Sequence, residues 1–245
     1  MPIRKFACSS LIVLAVACAS QLPNLAAADT TVQISDAVAK PEQVYLSPAH
    51  FDSTRFLAPP PDAQATQREI EEMLFLQQNR TPQQVMQTIA DIRQSVLMFD
   101  DVMGPQFTSA NLPATIKLFD KLYHTQSAIN KQAKEKWKRV RPPLADKRLT
   151  PSTFYKSYSY PSGHATYAYL AGIVLADLMP QMRKQIYDRA YAFGENRVIG
   201  GVHYPSDVEA GRRLASMIAV LIQQNPDFQR DAAAARVELS ALYKS

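Results

Sequence analysis

Thr81-Pro-Gln-Gln-Val-Met-Gln-Thr-Ile-Ala-Asp-Ile-Arg-Gln-Ser-Val-Leu-Met-Phe-Asp-Asp-Val-Met103 is the stretch that decides the fold class. Its apolar residues Val85, Ile89, Ile92, Val96, Phe99 and Met103 recur at three- and four-residue steps. That is the period of one helix face, not of a strand. Thr81 offers a cap oxygen, Pro82 suits a first helical position, and Gln84 stands where it completes a capping box. The spacing predicts one amphipathic helix over about 82–103. Similar, shorter patterns cover about 62–79, 113–137, 164–179, 181–197, 206–224 and 231–243. Glycine is scarce, seven in 245 residues, and alternating apolar stretches are few. The chain is therefore expected to be all-α, a single compact domain of about six to eight helices.

Outside that body the composition changes. Arg4 and Lys5 precede a mostly apolar run from Phe6 to Ala19, and Ala26-Ala27-Ala28 offers a small-residue cleavage site. This is the pattern of a secretory signal, too short for a membrane span. A lipoprotein signal ending at Cys18 is the alternative, with Ala15 where such signals usually carry leucine. The expected organisation is a signal peptide over 1–28, an extended Pro-rich arm over 29–61 and a helical body over 62–245. Cleavage near Ala28 removes both cysteines, Cys8 and Cys18. The mature chain would then be exported to the periplasm or secreted, and would have neither disulfides nor thiol chemistry. Losing Arg4 and Lys5 leaves 25 basic side chains against 22 acidic ones, a mild surplus that suits small anions but does not argue for nucleic acid. The longest later apolar run, Ala165 to Met179, contains Asp177 and is too short to span a bilayer.

Three short blocks carry the chemistry. In the first, Lys134 and Arg141 are seven residues apart, two helical turns, which would put both on one face toward a single anion. The second, Pro161-Ser162-Gly163-His164, sits just before an apolar helix, where amides at a glycine turn make an anion site and Ser162 adds a hydroxyl. In the third, Arg197 extends the inward stripe Met182, Ile186, Ala190, Phe193, so it needs an anionic partner, either a carboxylate or a substrate. His203 follows Gly200-Gly201 and precedes a helix start where Ser206 reads as cap and Glu209 as its capping-box partner. Asp207 stands four residues after His203, near enough to fix its tautomer. Each block taken singly has an ordinary explanation: a solvated basic face, a helix cap, a structural ion pair. His50 and His124 match no block and read as ordinary packing or surface residues. No histidine pair has metal-ligand spacing, so no metal site and no cofactor are expected.

Together the blocks Lys134-x6-Arg141-Pro142, Pro161-Ser162-Gly163-His164 and Arg197-x5-His203-x3-Asp207 resemble the signature of the bacterial class A non-specific acid phosphatases. Those belong to the type 2 phosphatidic acid phosphatase and vanadium haloperoxidase superfamily. Gly194-Glu195-Asn196-Arg197 and Ser206-Asp207-Val208-Glu209-Ala210-Gly211 are similar to its flanking segments, except that Asn196 replaces the usual serine. The resemblance implies that Lys134, Arg141, Ser162, Gly163 and Arg197 bind the phosphoryl group. It implies that His203 attacks phosphorus, Asp207 orients His203, and His164 is the acid. The implied activity is metal-independent hydrolysis of phosphate monoesters such as nucleotides, sugar phosphates or aryl phosphates, through a phosphohistidine. Phosphotransfer to alcohols is compatible with it, and so is a homo-oligomer. A vanadate-dependent haloperoxidase would use the same cradle but is typically much larger. A lipid phosphate phosphatase would carry several membrane spans. A periplasmic phosphate-binding protein would not need two histidines beside the anion.

Overall fold

The computed structural model describes residues 44–244. The signal segment 1–28 and residues 29–43 of the arm lie outside the described residues. The chain divides at Ala37, and everything below belongs to the unit Val38–Ser245. Among the described residues there is no strand, and the fold is all-α as the periodicity predicts. Its helices are α1 (Ser53–Phe56), α2 (Ala63–Asn79), α3 (Pro82–Ala90), α4 (Asp100–Met103), α5 (Pro113–Trp137), α6 (Pro142–Ala145), α7 (Gly163–Leu178), α8 (Arg183–Ile199), α9 (Pro205–Leu221) and α10 (Pro226–Leu242).

Helix α7 is the axis of the body. Its sequence is apolar on every side, the property of a helix buried all round. Tyr167, Ala168, Leu170, Ala171 and Leu175 are fully buried. Helices α8 and α9 pack along α7, while α5 packs against both α7 and α10. Truncating Leu170 or Leu175 to alanine would cost about 2–5 kcal/mol, the usual range for a buried leucine. Residues 44–61 lie over α5 and α10: Tyr45 N–H donates to Thr125 Oγ1 and its hydroxyl to Asp231 Oδ2, both at 2.9 Å. Ser53 Oγ donates to the Ile129 carbonyl at 2.8 Å.

One glycine sets how closely the axis is approached. A Cβ on Gly211 of α9 would stand 2.8 Å from the Ser162 carbonyl and 3.0 Å from Thr166 N, contacts that real Cβ atoms do not make at the shorter distance. Only glycine lets α9 lie this near the first turn of α7.

The long helix expected over 82–103 is not formed. The Thr81 capping box is present, with Thr81 N–H donating to Gln84 Oε1 at 2.8 Å and Gln84 N–H to Thr81 Oγ1 at 3.2 Å. Yet α3 stops at Ala90, and the chain resumes as a 3₁₀ turn at Val96–Phe99 followed by α4. Ile89 and Ile92, the middle of the apolar stripe, are 49% and 36% exposed. The break lies where Asp91 turns inward to accept hydrogen bonds from Arg189 Nη2 and Asn196 Nδ2, each at 2.7 Å. A buried carboxylate with two long-range donors outweighs a few tenths of a kcal/mol per residue of helix propensity.

Two further expectations are corrected. Lys134 and Arg141 do not share a helix face, because α5 ends at Trp137 and Lys138 takes a left-handed conformation (φ 46°). Arg141 is in extended backbone after that turn. At α9 the cap position is Tyr204, not Ser206, and Glu209 pairs with Arg212 and Arg213 on the surface.

Candidate active site

Four helix ends converge on one buried spot. The last turn of α5 brings Lys134, and the reversal at Lys138 feeds Arg139 and Arg141 inward. The loop after α6 returns at Ser159 and delivers Ser162 as the cap of α7, its Oγ accepting Ala165 N–H at 3.3 Å. The last turn of α8 holds Arg197, and Gly201 (φ 70°) then doubles the chain back so that Val202 and His203 N–H both donate to the Arg197 carbonyl. Asp207 follows in the first turn of α9, and its carbonyl accepts Ser162 N–H at 2.9 Å. The eight residues singled out by the three blocks therefore share one neighbourhood, and Arg141, Ser162, His164, Arg197, His203 and Asp207 are buried.

The cations have an unusual set of partners. Lys134 Nζ donates to the Tyr158 carbonyl at 2.6 Å. Arg141 donates to the Ser157 carbonyl (Nε, 2.7 Å), the Val202 carbonyl (Nη1, 2.8 Å) and Ser157 Oγ (Nη2, 3.0 Å). Arg197 donates through Nη2 to the Thr88 carbonyl at 2.7 Å, while its Nε and Nη1 are buried without a partner. Among the described residues none of the three forms a salt bridge with a carboxylate, although each is largely buried. Burying a charge without a counter-charge is costly, and an arrangement of this kind is able to hold an anion. The first-turn amides of Gly163 and His164 have no carbonyl behind them and add two more donors. Counting Arg139 with its partners Glu69 and Asp207, four cations meet two carboxylates. The surplus of two positive charges matches a phosphate-monoester dianion.

His203 and Asp207 form a directed pair. Asp207 is fully buried; burial by itself would raise its carboxyl, but hydrogen bonding and charge from His203, then Arg139 and Ser159, outweigh this and keep it ionised. An ionised carboxylate only accepts, so the proton of the His203 Nδ1···Asp207 Oδ2 contact (3.1 Å) belongs to Nδ1. That leaves the lone pair on Nε2, which faces Arg141 Nη1 at 3.2 Å. Burial and then the Arg141 charge push the His203 pKa well below the ordinary histidine range, so the ring stays a neutral base. His164 is depressed as well, by burial, Arg197 and His203, while its Nε2 lies 3.1 Å from the Ile92 carbonyl. Burial and Arg141 also push the Lys134 ammonium down to about 7. An incoming dianion would reverse each of these effects.

Sequence reading missed four participants. Arg139 was hidden in a run of eight basic residues between Lys131 and Arg148. Ser159 donates to Asp207 Oδ2, and nothing in its local pattern marks it. Tyr155 lies with its ring 4.7 Å beneath the Arg141 guanidinium and its hydroxyl 3.4 Å from His164 Nε2. Glu69 of α2 pairs with Arg139 at 2.7 Å, from a helix with no motif at all. Asn196 does not touch Arg197's guanidinium; its amide holds Asp91 instead.

With the geometry in place, comparison with known proteins gives a consistent answer. Residues 122–230 match the model of the PAP2 superfamily, a span that includes every block residue from Lys134 to Asp207. A non-specific acid phosphatase from Providencia stuartii is 29% identical over 246 residues, covering 95% of this chain and 99% of the relative. An acid phosphatase from Zymomonas mobilis is 30% identical over 205 residues, covering 78% of this chain and 76% of the relative. A non-specific acid phosphatase from Salmonella typhimurium is 32% identical over 154 residues, 58% of this chain and 60% of the relative. Among solved structures, a transmembrane PAP2-type phosphatidylglycerolphosphate phosphatase from Bacillus subtilis superposes with a TM-score of 0.49 at 20% identity, covering 66% of this chain and 86% of that one.

Proposed function

We propose a reaction course for a chain that belongs to the PAP2 superfamily and, within it, to the class A-like non-specific acid phosphatases, and is therefore a phosphoric monoester hydrolase. The ester dianion enters the cradle and takes the free Nε and Nη1 donors of Arg197, with Lys134, Arg141, the Ser162 hydroxyl and the Gly163 amide completing the shell. Its charge raises the His164 pKa, so that His164 is protonated under acidic conditions. His203 Nε2 attacks phosphorus in line; the P–N bond forms as the bond to the ester oxygen breaks, and that oxygen takes its proton from His164. Asp207 stabilises the positive charge that develops on the His203 ring. His164, now neutral, accepts a proton from water as the water attacks phosphorus. The P–N bond breaks, phosphate leaves, and both histidines are restored. Fixed cations neutralise the equatorial oxygens, the task that metal ions perform in other phosphoryl-transfer enzymes.

The observation that carries this reading is the set of three buried cations with no carboxylate partner among the described residues, beside a histidine held neutral with its Nε2 lone pair turned into the cradle toward Arg141 Nη1. The test is hydrolysis of a generic aryl phosphate across pH 4–8 with chelator present, together with trapping of acid-labile phosphate on the protein. We expect turnover on the acidic side that chelator does not abolish, and label on His203. Full activity in His203→Ala would remove the nucleophile from this scheme. Phosphate affinity without turnover would instead indicate a binding protein. The N-terminal segment supports export with cleavage near Ala28, which N-terminal sequencing of the mature protein checks.

A further inference from the structure

Helix α2 lies outside the span matched by the family model and contributes no side chain to the phosphate cradle. Even so, its Glu69 is joined to the candidate nucleophile by a short chain of polar contacts. Glu69 Oε2 accepts from Arg139 Nη2 at 2.7 Å, and Arg139 Nη1 donates to Asp207 Oδ1 at 2.7 Å. Asp207 Oδ2, the other oxygen, receives His203 Nδ1–H, Ser159 Oγ–H and the Tyr204 amide. Glu69 Oε1 also accepts Ser206 N–H at 2.7 Å, from the residue just before Asp207. Arg139 further donates to Ser206 Oγ at 2.7 Å and Thr66 Oγ1 at 3.1 Å, and its guanidinium lies 3.8 Å over the Tyr204 ring. The contacts close a ring through Glu69, Arg139, Asp207 and the Ser206 backbone.

We propose that Glu69 and Arg139 are positioning residues for the catalytic pair: they fix the plane of the Asp207 carboxylate and, through it, the orientation and tautomer of His203. The inference rests on the reading of His203 as nucleophile. The carboxylate has two oxygens and a free rotation about its last bond. Arg139 holds Oδ1 from one side, so Oδ2 stays toward the imidazole. Glu69 in turn fixes the guanidinium, which has no aliphatic alternative once both of its Nη atoms are engaged. An Arg139 released from Glu69 could also swing its charge, and weaken the basicity that Asp207 lends to His203.

A static clamp between helices would also use these contacts, and the rate of phosphoenzyme formation above the acid limb distinguishes the two cases. The charged or titratable groups around His203 are Asp207 of α9, Arg141 and Lys134 around the end of α5, His164 of α7, Arg197 of α8 and Tyr155 of the loop between α6 and α7, with Arg139 and Glu69 behind Asp207. Only neutral His203 attacks, so kcat/KM falls as pH drops through its pKa. Removing the Arg139 cation raises that pKa and moves the acid limb to higher pH. Removing the Glu69 charge leaves Arg139 less compensated and moves the limb to lower pH or leaves it in place. A structural clamp shows the same opposed shifts but leaves the rate of phosphoenzyme formation above the limb unchanged in folded variants.

The experiment measures single-turnover formation of the phosphoenzyme from an aryl phosphate by rapid quench, with pH profiles, in Arg139→Gln, Arg139→Lys and Glu69→Gln of the full protein. Binding of inorganic phosphate is followed in parallel. The expected result is a fall of about ten- to a hundredfold in the rate of phosphoenzyme formation for Arg139→Gln. Arg139→Lys recovers part of it, phosphate affinity changes much less, and the acid limb of Arg139→Gln rises while that of Glu69→Gln does not. Unchanged rates in folded variants, or limbs that move upward together, overturn the proposal. Should Arg139→Gln not fold, Glu69→Gln and Arg139→Lys carry the same comparison. If wild type forms no phosphoenzyme, it is the underlying nucleophile assignment that has failed, a distinct outcome.

Discussion

Replacing Arg197 by methionine separates a ligand-binding arginine from a structural one. Methionine keeps an unbranched apolar stem of similar reach but has no charge and no donors. In the folded protein Arg197 loses one hydrogen bond, Nη2 to the Thr88 carbonyl, and its contact at 5.3 Å with the Phe193 ring. A charge-assisted bond of that kind contributes about 1.5–3 kcal/mol, and the orphaned carbonyl costs about 1–3 kcal/mol more. Against this, two buried donors, Nε and Nη1, have no protein partner among the described residues, and removing them relieves about 1–3 kcal/mol each. The opposing effects nearly cancel, so the stability change should stay within about 2 kcal/mol, a Tm shift of no more than about 8 °C for a chain of this size. Breaking a true buried ion pair would cost about 3–5 kcal/mol. Catalysis should respond very differently. Two charge-assisted bonds to the transition state at about 1.5–3 kcal/mol each correspond to a loss of about 10²–10⁴ in kcat/KM. The assay pairs thermal unfolding, with and without inorganic phosphate, with turnover of an aryl phosphate. Wild type should gain about 2.7 kcal/mol at a hundredfold excess of phosphate over Kd, and Arg197→Met at the same concentration far less. A variant destabilised by several kcal/mol that still gains normally from phosphate would refute the reasoning, because Arg197 would then serve the fold.

Four other outcomes follow from the same geometry. Lys134, held near 7 by burial and Arg141, should take up protons when a non-titrating dianion such as sulfate binds at pH 7–8, since the anion favours its charged form; calorimetry in buffers of different ionisation enthalpy reads this, and uptake at pH 7–8 that persists unchanged in Lys134→Met would point to another group. Asp207→Asn should lower kcat by about 10³–10⁴ while phosphate still binds, because an amide donating to Nδ1 places the ring proton on Nε2; a tenfold loss or less would mean the tautomer is set elsewhere. Gly211→Ala should cost about 1–3 kcal/mol by pressing a methyl onto the Ser162 carbonyl, with kcat/KM falling as the Ser162–Gly163 turn shifts; an unchanged Tm would show that α9 has room to move. Tyr155→Phe should stay within about threefold of wild type whereas Tyr155→Ala loses about tenfold, because it is the ring face under Arg141 that matters; equal losses would transfer the effect to the hydroxyl beside His164.

Much of this protein was legible from its residues in order. The helices at 63–79, 113–137 and 163–178 fall within a residue of the ranges read from periodicity, and the Thr81 capping box formed with the partners its sequence names. Helix periodicity and caps are relations between residues three or four apart, so they are present in the sequence wherever the chain folds. The three blocks were legible for a similar reason: each is a short run whose spacing is itself the signal, and each lies at a helix end. Reading failed where a distant partner decided. The stripe from Val85 to Met103 satisfied the helical period, yet Asp91 left it to meet Arg189 and Asn196, about a hundred residues away. Lys134 and Arg141 meet as expected, but through a left-handed turn at Lys138 and not along a helix face.

What the sequence by itself determined is therefore the helical inventory, the two histidines with their carboxylate, and the family to which their spacing belongs. What only the tertiary structure decided is how charge is distributed around them. Arg197 was recognisable as an inward arginine, but whether it met a carboxylate depended on residues 109 positions away, where the Thr88 carbonyl takes one donor and, among the described residues, the other two have no hydrogen-bond partner. Glu69 reaches Asp207 through Arg139 across about 140 residues of chain. Such pairings depend on which helices are neighbours, and that is fixed by burial of the whole apolar surface around α7 and not by any local pattern. The physical reason is the range of the forces involved: hydrogen-bonded turns are set by adjacent residues, whereas a buried charge is stabilised or left unpaired by whatever the completed fold places beside it.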